Sequence, residues 1–315
     1  MLVACSGGPD SQVLLSVLHT LGAELGFQVT AAGVDHGLRP EARDELALAA
    51  ALAHRLTVPF KTLQVVVPSG ASRQAAAREA RYAALLLCAK EHAASAVAVG
   101  HTRDDQAETV LARILRGTGV EGLAAAWPRR ADGVVRPLID CPRSWVEAYV
   151  AEAELEVARD PSNLDPRYLR VRVRSELLPL LTQESPKLAE HLAHLADDAR
   201  ETAELLRECA LAALARAGGD TAVLREEAPL VRRWALKLLV EREAGVPLMR
   251  AHLTALERML WSGGQVRVPG DVVVSVDPAG KLSFSPVAKR GRGATRPMDG
   301  SVRSDRRAKK LPGAP

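Results

Sequence analysis

Apolar positions in the first half of the chain fall into short runs separated by longer amphipathic stretches. Leu2-Val3-Ala4-Cys5 reads as a strand, a glycine turn follows, and residues 12–25 carry apolar side chains at helical spacing. The strand signal returns at 29–34, 62–67 and 96–99, and the helical signal at about 40–56, 72–92 and 105–116. This succession predicts an α/β fold, a parallel sheet wrapped by helices on both faces. Ligands of such sheets bind beyond the carboxyl ends of the strands, and the most polar short segments of this chain occur there.

Beyond Gly133 the rhythm changes. Residues 144–153 and 175–181 read as helices on either side of a loop at 160–168, and 186–216 reads as a long Ala/Leu helix. Two further helices, 225–243 and 247–261, precede an alternating stretch at 265–285 in which Asp277-Pro278-Ala279-Gly280 is the turn of a hairpin. The expected organisation is a sheet domain over 1–185, a helical linker over 186–216, a small α+β domain over 217–288 and a tail over 289–315. The tail carries nine Lys and Arg against Asp299 and Asp305, a net +7, so the rest of this +4 chain sums to −3. With almost nothing apolar, the tail is expected to be disordered, either as an arm that docks on phosphates or as a solvated terminus.

Composition narrows the class. The chain is 47% apolar and 25% charged, as soluble globular proteins are, and only 3% aromatic, so its core must be built from Ala, Leu and Val. No run approaches ~18 apolar residues and no basic-then-apolar leader precedes Ser6-Gly7-Gly8, so a cytoplasmic protein that spans no membrane is expected. Cys5, Cys88, Cys141 and Cys209 are scattered and form no Cys-x-x-Cys pair. A zinc ribbon, an iron–sulfur site and a disulfide framework are therefore not expected.

Ser6-Gly7-Gly8-Pro9-Asp10-Ser11 lies between the first strand and the first helix. Its glycines let backbone N–H groups approach an anion, and Ser11 is placed to cap a helix whose positive dipole end faces the same point. The loop lacks the Lys of a Walker A motif and is not Gly-x-Gly-x-x-Gly. Asp10 inside an anion loop would repel phosphate unless a divalent cation joins them, which implies Mg²⁺ as its metal partner.

Ser-Gly-Gly-x-Asp-Ser after an N-terminal strand resembles the PP-loop of the N-type ATP pyrophosphatases, which split ATP between the α and β phosphates. Further segments, in the same order, resemble the tRNA(Ile)-lysidine synthetase family. They are Val34-Asp35-His36-Gly37-Leu38-Arg39, Arg73 with Ala77-Arg78-Glu79-Ala80-Arg81-Tyr82, and Gly100-His101-Thr102-Arg103-Asp104-Asp105-Gln106-Ala107-Glu108-Thr109. Arg116-Gly117-Thr118-Gly119 with Gly122-Leu123, then Arg136-Pro137-Leu138-Ile139 and Asp160-Pro161-Ser162-Asn163 continue the match. It covers nearly all of 1–185, and the region to about 285 is similar, more loosely, to that family's first C-terminal domain.

The resemblance implies a Rossmann-like sheet of the PP-loop type followed by a small α+β domain that binds tRNA. It implies ATP and Mg²⁺ as cofactors, free L-lysine and tRNA(Ile) with a CAU anticodon as partners, and a homodimer as one allowed assembly. In the family's reaction ATP adenylates the C2 oxygen of the wobble cytidine, and the ε-amine of lysine then displaces AMP. A lysine amine has a pKa near ~10.4, so it must lose a proton locally before it attacks.

Asp105 and Glu108 stand three apart on one helix face and match family positions implied in lysine binding, although acids also favour a helix N-terminus for its dipole alone. Asp35, His101 and Asp105 are the catalytic candidates, because Asp35 and His101 end strands beside the carboxylates. Ser6 to Ser11 are the ATP-binding candidates. Arg78 is a candidate for the substrate carboxylate or a phosphate, and Arg170 and Arg174 for the nucleotide or tRNA. Arg170, Arg172 and Arg174 alternate with Leu169, Val171 and Val173, a strand-like period where the family implies a helix, and Val171 stands where the family usually shows Asn. Two rival readings remain at this point: another PP-loop enzyme such as a tRNA thiolase, and a nucleic-acid-binding protein that keeps nucleotide as a structural ligand.

Overall fold

The computed structural model describes residues 1–37, 42–67, 73–159 and 165–287. Two compact units meet between Leu206 and Arg207.

The first unit is an alternating α/β layer structure, as the periodicity predicts. In chain order its elements are β1 (Leu2–Ala4), α1 (Pro9–Leu25), β2 (Thr30–Asp35), α2 (Ala42–Arg55), β3 (Phe60–Gln64), α3 (Arg73–Glu91), β4 (Val97–Ala98) and α4 (Arg103–Arg116). A short α5 (Val120–Leu123), β5 (Val134–Val135) and α6 (Arg143–Glu152) follow. The strands pair in the order β3-β2-β1-β4-β5, and every pairing is parallel. Leu2 pairs with Thr30 on one side and Val97 on the other, so the order reverses between β1 and β4. That reversal opens the crevice in which doubly wound sheets bind ligands.

Successive strand residues feed opposite faces. Val3, Ala31 and Ala98 join Val13, Leu14, Leu15 and Leu18 of α1 and Ala49 and Leu52 of α2 in one core. Leu2, Ala32 and Val97 join Tyr82, Leu85 and Cys88 of α3 in the other. Both faces are covered, so the strands read as continuous apolar runs rather than as alternation. Small and branched aliphatic side chains make up most of both cores, as the low aromatic content requires. α4 is held by a third cluster, in which its Ala107 and Val110 pack with Ala125, Leu192 and Ala196.

Several expectations need correction. β5 is two residues long and gave no separate signal. Residues 169–184 are helical throughout, as α7 (Leu169–Arg172), a π-helical turn (Val173–Leu177) and α8 (Leu178–Glu184), so the strand-like alternation of arginines there is misleading. α9 (Leu188–Ala217) runs 30 residues and contains the division between the units.

The second unit adds α10 (Thr221–Glu226), α11 (Pro229–Ala244) and α12 (Arg250–Ser262), then β6 (Gly264–Val268), β7 (Val272–Val276) and β8 (Leu282–Pro286). α10 was not anticipated. The alternating stretch is a three-stranded antiparallel meander rather than one hairpin. The additional turn lies at Gly270 and Asp271, both with positive φ, while the Asp277–Gly280 turn forms as expected. Among the described residues no helix is long and apolar enough to cross a membrane. The motif residues Leu38, Arg39 and 160–163, and the basic tail 289–315, lie outside the described residues.

Gly7 has φ +88°, and a Cβ there would lie 2.0 Å from the backbone oxygen of Glu45. Gly7→Ala therefore combines a left-handed backbone with a collision against main chain. It is expected to lower the unfolding free energy by about 2–4 kcal/mol in urea titration.

Candidate functional site

The loop after β1 is fixed by its own side chains. The Ser6 N–H donates to Ser11 Oγ (3.1 Å), and Ser11 Oγ donates to the Gly8 carbonyl (2.9 Å). Gly7 O accepts from Gln12 Nε2 (2.9 Å) and from the Ala158 N–H (2.8 Å). Ser11 is thus not the helix cap that the sequence led us to expect. Gly8 holds that position with Pro9 following it, and Ser11 braces the loop from inside the first turn. The bracing leaves the first N–H groups of α1 directed at the crevice, an anion site by geometry and dipole.

Asp10 stands in that first turn. Burial lifts its carboxyl to about 6, Arg143 and Arg174 pull it down, and Asp105 and Glu147 push it up. Its Oδ1 is buried and has no hydrogen-bond partner. Among the described residues no group of three His, Cys, Asp or Glu could hold a metal alone. A lone carboxylate with a free buried oxygen fits Mg²⁺ bound mainly through substrate phosphates, the usual mode for that ion.

The acidic pair rises from the neighbouring strand. Gly100 and His101 follow β4, and Thr102 caps α4 in a reciprocal box. The Thr102 N–H and hydroxyl donate to Asp105 Oδ2 (2.9 and 3.1 Å), and the Asp105 N–H donates to Thr102 Oγ1 (3.4 Å). Asp105 Oδ1 accepts from three guanidinium groups: Arg170 Nη2 (2.9 Å), Arg174 Nη2 (3.0 Å) and Arg143 Nη2 (3.2 Å). Glu108, 2% exposed, accepts from Arg170 Nε (3.0 Å) and from Arg174 through both Nη2 (2.9 Å) and Nε. Burial pushes the Asp105 carboxyl up, but Arg170, Arg143, the Thr102 N–H and His101 together hold it below the ordinary range.

His101 is neutral at physiological pH. Burial drives its pKa to about 3; Asp105 opposes this, while Arg136, Arg78 and Arg170 reinforce it. Its Nδ1 is buried and unpartnered. Asp35, at the end of β2, accepts the Gly37 N–H (2.8 Å). Beside it, His36 is lowered by burial and then by Arg81.

Arg78 joins a cation cluster on Tyr82: the guanidinium groups of Arg78, Arg81 and Arg130 lie 5.0, 5.5 and 4.8 Å from the ring centroid. Arg78 also donates to the Tyr82 hydroxyl (3.4 Å), and Arg136, buried at the end of β5, donates to the Trp127 carbonyl. Asp105, Glu108, His101, Arg170 and Arg174 are thus contiguous, and Asp10 lies within electrostatic reach of Asp105 and Arg174. Arg78 approaches the group through its field on His101, and Asp35 stands two strands from β4.

The PP-loop domain family matches residues 1–181. The tRNA(Ile)-lysidine synthase of Thermobifida fusca is 40% identical over 282 residues, 86% of this chain and 87% of that protein. The enzyme of the same name from Leifsonia xyli is 36% identical over 300 residues, 91% of this chain and 90% of the relative. The chain belongs to the tRNA(Ile)-lysidine synthase family.

A solved structure, the U34-tRNA thiolase NcsA of Methanococcus maripaludis with its [4Fe-4S] cluster, superposes with a TM-score of 0.53 at 18% identity, over 62% of this chain and 70% of that one. It shares the fold. In this lysidine synthase family member the cysteines are free and dispersed: Cys5 follows β1, Cys88 lies in α3, Cys141 precedes α6 and Cys209 lies in α9.

Sequence reasoning missed Arg143, Arg81, Arg136 and Tyr82 as members of the site. Arg81, Tyr82 and Arg136 stood inside quoted motifs, but nothing local marks their convergence. Arg143 follows Pro142 at the start of α6, and no local pattern marks it as a site residue.

The raised carboxyl of Asp10 yields a pH test. Its folded pKa lies above the reference 3.8, so ionising it opposes folding above pH 6, and the penalty vanishes below about pH 4. Asp10→Asn is expected to raise stability at pH 7.5 by up to about 3 kcal/mol, with no gain at pH 4. With Asp10 as a ligand of the ion, wild-type affinity for Mg²⁺ with nucleotide is expected to fall about tenfold more between pH 7 and pH 5 than that of Asp10→Asn, because a protonated carboxyl gives up the ion. Calorimetric titration of both proteins at the two pH values checks this.

Proposed function

We propose that this enzyme ligates free L-lysine to C2 of the wobble cytidine of tRNA(Ile) bearing a CAU anticodon. ATP adenylates the C2 oxygen, and lysidine, AMP and pyrophosphate are the products. The observation that carries this reading is the likeness to tRNA(Ile)-lysidine synthases over nearly the whole chain, joined to an anion loop and an acidic pair on adjacent strand ends.

In this reading residues 6–11 cradle the β and γ phosphates, and Asp10 holds Mg²⁺ against them. Asp105 and Glu108 receive the lysine ammonium, and Arg78 faces its carboxylate. Arg170 and Arg174 pair with both carboxylates. They hold the acids aimed, and the incoming ammonium competes for the same oxygens before those arginines turn to nucleotide or tRNA phosphate. His101 is a neutral acceptor beside the amine, and Asp35 or Asp105 takes the amine proton. The small α+β domain over 217–288 contacts tRNA. Every group named comes from one chain, so a homodimer is compatible but not required, and a cytoplasmic location follows from the substrate.

Labelled lysine should enter a tRNA transcript with a CAU anticodon, and AMP release should stop when the wobble cytidine is replaced. Sulfur transfer without lysine uptake would overturn the assignment in favour of a thiolase, and nucleotide binding without AMP release would favour a simple binder. Glu108→Gln is expected to raise the KM for lysine at least tenfold while changing that for ATP less than threefold, since a charge-assisted contact is worth about 1.5–3 kcal/mol. Equal effects on both substrates would count against its place at the amine.

A further inference from the structure

Among the buried crevice atoms that lack partners, two are neighbours in the field and opposite in character. Asp10 Oδ1 is an acceptor and Arg143 Nε is a donor. Of the charges acting on Asp10, Arg143 has the largest effect, yet the two groups are not bonded to each other.

Arg143 is held from two sides. Its backbone N–H, at the start of α6, donates to Asp104 Oδ2 (2.7 Å), and its Nη2 donates to Asp105 Oδ1 (3.2 Å). These anchors tie the N-termini of α4 and α6 together, and the Arg103 N–H adds a bond to Cys141 O (3.0 Å). The guanidinium is therefore fixed in place with its Nε spare. The carboxylates around it are already engaged: Asp105 Oδ1 takes three guanidinium groups, and Glu147 pairs with Arg159 (2.7 Å). A fixed donor with no acceptor in the protein suits an anion from outside it. The adjacent free carboxylate oxygen requires a cation. One ligand supplies both, a polyphosphate carrying a divalent metal.

We propose that Arg143 is a phosphate-binding residue of the ATP site, with its Nε donating to the pyrophosphate half while Asp10 takes the metal on that same group. This rests on the function proposed above and assigns a binding role to a residue outside the glycine loop. As the C2 oxygen forms its bond to the α-phosphorus, the bond from that phosphorus to the bridging oxygen breaks and its electron pair stays on pyrophosphate. A guanidinium N–H already in place meets that growing charge without rearranging.

The test is calorimetric binding of pyrophosphate to the full chain, with and without Mg²⁺, in the absence of lysine and tRNA. Arg143→Gln is expected to weaken Mg²⁺-pyrophosphate binding about tenfold to a hundredfold and to raise the KM for ATP comparably, while the KM for lysine stays within about twofold of wild type. Arg143→Lys keeps the charge without the fork and should recover only part of the loss; it also carries the measurement if Arg143→Gln fails to fold. Unchanged pyrophosphate affinity with a raised KM for lysine would make Arg143 a positioning residue for Asp105 and overturn the proposal. Wild-type protein that binds no pyrophosphate would overturn it too. Pyrophosphate binding that depends on Arg143 in a protein unable to transfer lysine would instead sink the proposed function and leave the anion site standing.

Discussion

Burying two carboxylates one helical turn apart is tolerable only if cations are buried with them, and much of the first unit is arranged to satisfy that condition. Asp105 and Glu108 are both nearly inaccessible, and an uncompensated charge there would be strongly destabilising. The compensation is delivered by a segment more than sixty residues downstream. Arg170 and Arg174 stand four apart, so on a helix they share a face, and their two forks clasp both acids. Arg172 points elsewhere, to the carbonyls of Pro166 and Arg167. A π-helical turn begins directly after that residue and lets the helix change phase beside the carboxylates, a placement such turns often take at functional sites.

The same acids face a second constraint from the sheet. β1 and β4 are adjacent and parallel, so the loop after one and the helix after the other emerge at the same edge. A Cβ at Gly100 would stand 2.8 Å from the backbone oxygen of Asp10, which measures how closely the two segments approach. Within that edge, carboxyls of one chemical kind behave oppositely. Asp10, buried with weak compensation, is raised to about 6, whereas Asp105, buried among arginines, is lowered. Environments that drive the pKa values of like groups apart are a feature that sites of acid–base chemistry exploit.

What the sequence disclosed and what it hid divide along local and distant physics. Strands β1, β2 and β4, helices α1 to α4 and the anion loop follow from periodicity and glycine placement, which act within one element. β5 failed because two residues, Val134-Val135, carry no period. The arginines at 170–174 misled because alternation over five residues fits a strand as well as a helix, and ion pairs to α4 decided the outcome. Ser11 was misread because Pro9 sets the start of α1, moving the cap to Gly8. The meander was compressed into one hairpin because Pro269-Gly270-Asp271 interrupts the alternation only briefly. Arg143 was invisible because its partners lie 38 and 39 positions away.

Beyond the acidic pair the crevice wall is cationic. Arg78, Arg81 and Arg130 converge on Tyr82 with Arg136 in their field, and Arg130 pairs with Asp132. Burial first, with Arg78 and Arg170 adding to it, lowers Arg81 below its usual value. His101 sits between this wall and Asp105, and the surrounding guanidinium groups are part of the reason it stays neutral. A neutral ring adds no further repulsion and keeps a lone pair free. The crevice therefore runs from a buried carboxylate with a free oxygen, through acids already clasped by arginine, to a wall rich in guanidinium groups. That gradient suits a substrate set whose bulk is anionic and whose single cation is small, because polyphosphate and a nucleic-acid strand can satisfy the wall while one ammonium satisfies the acids.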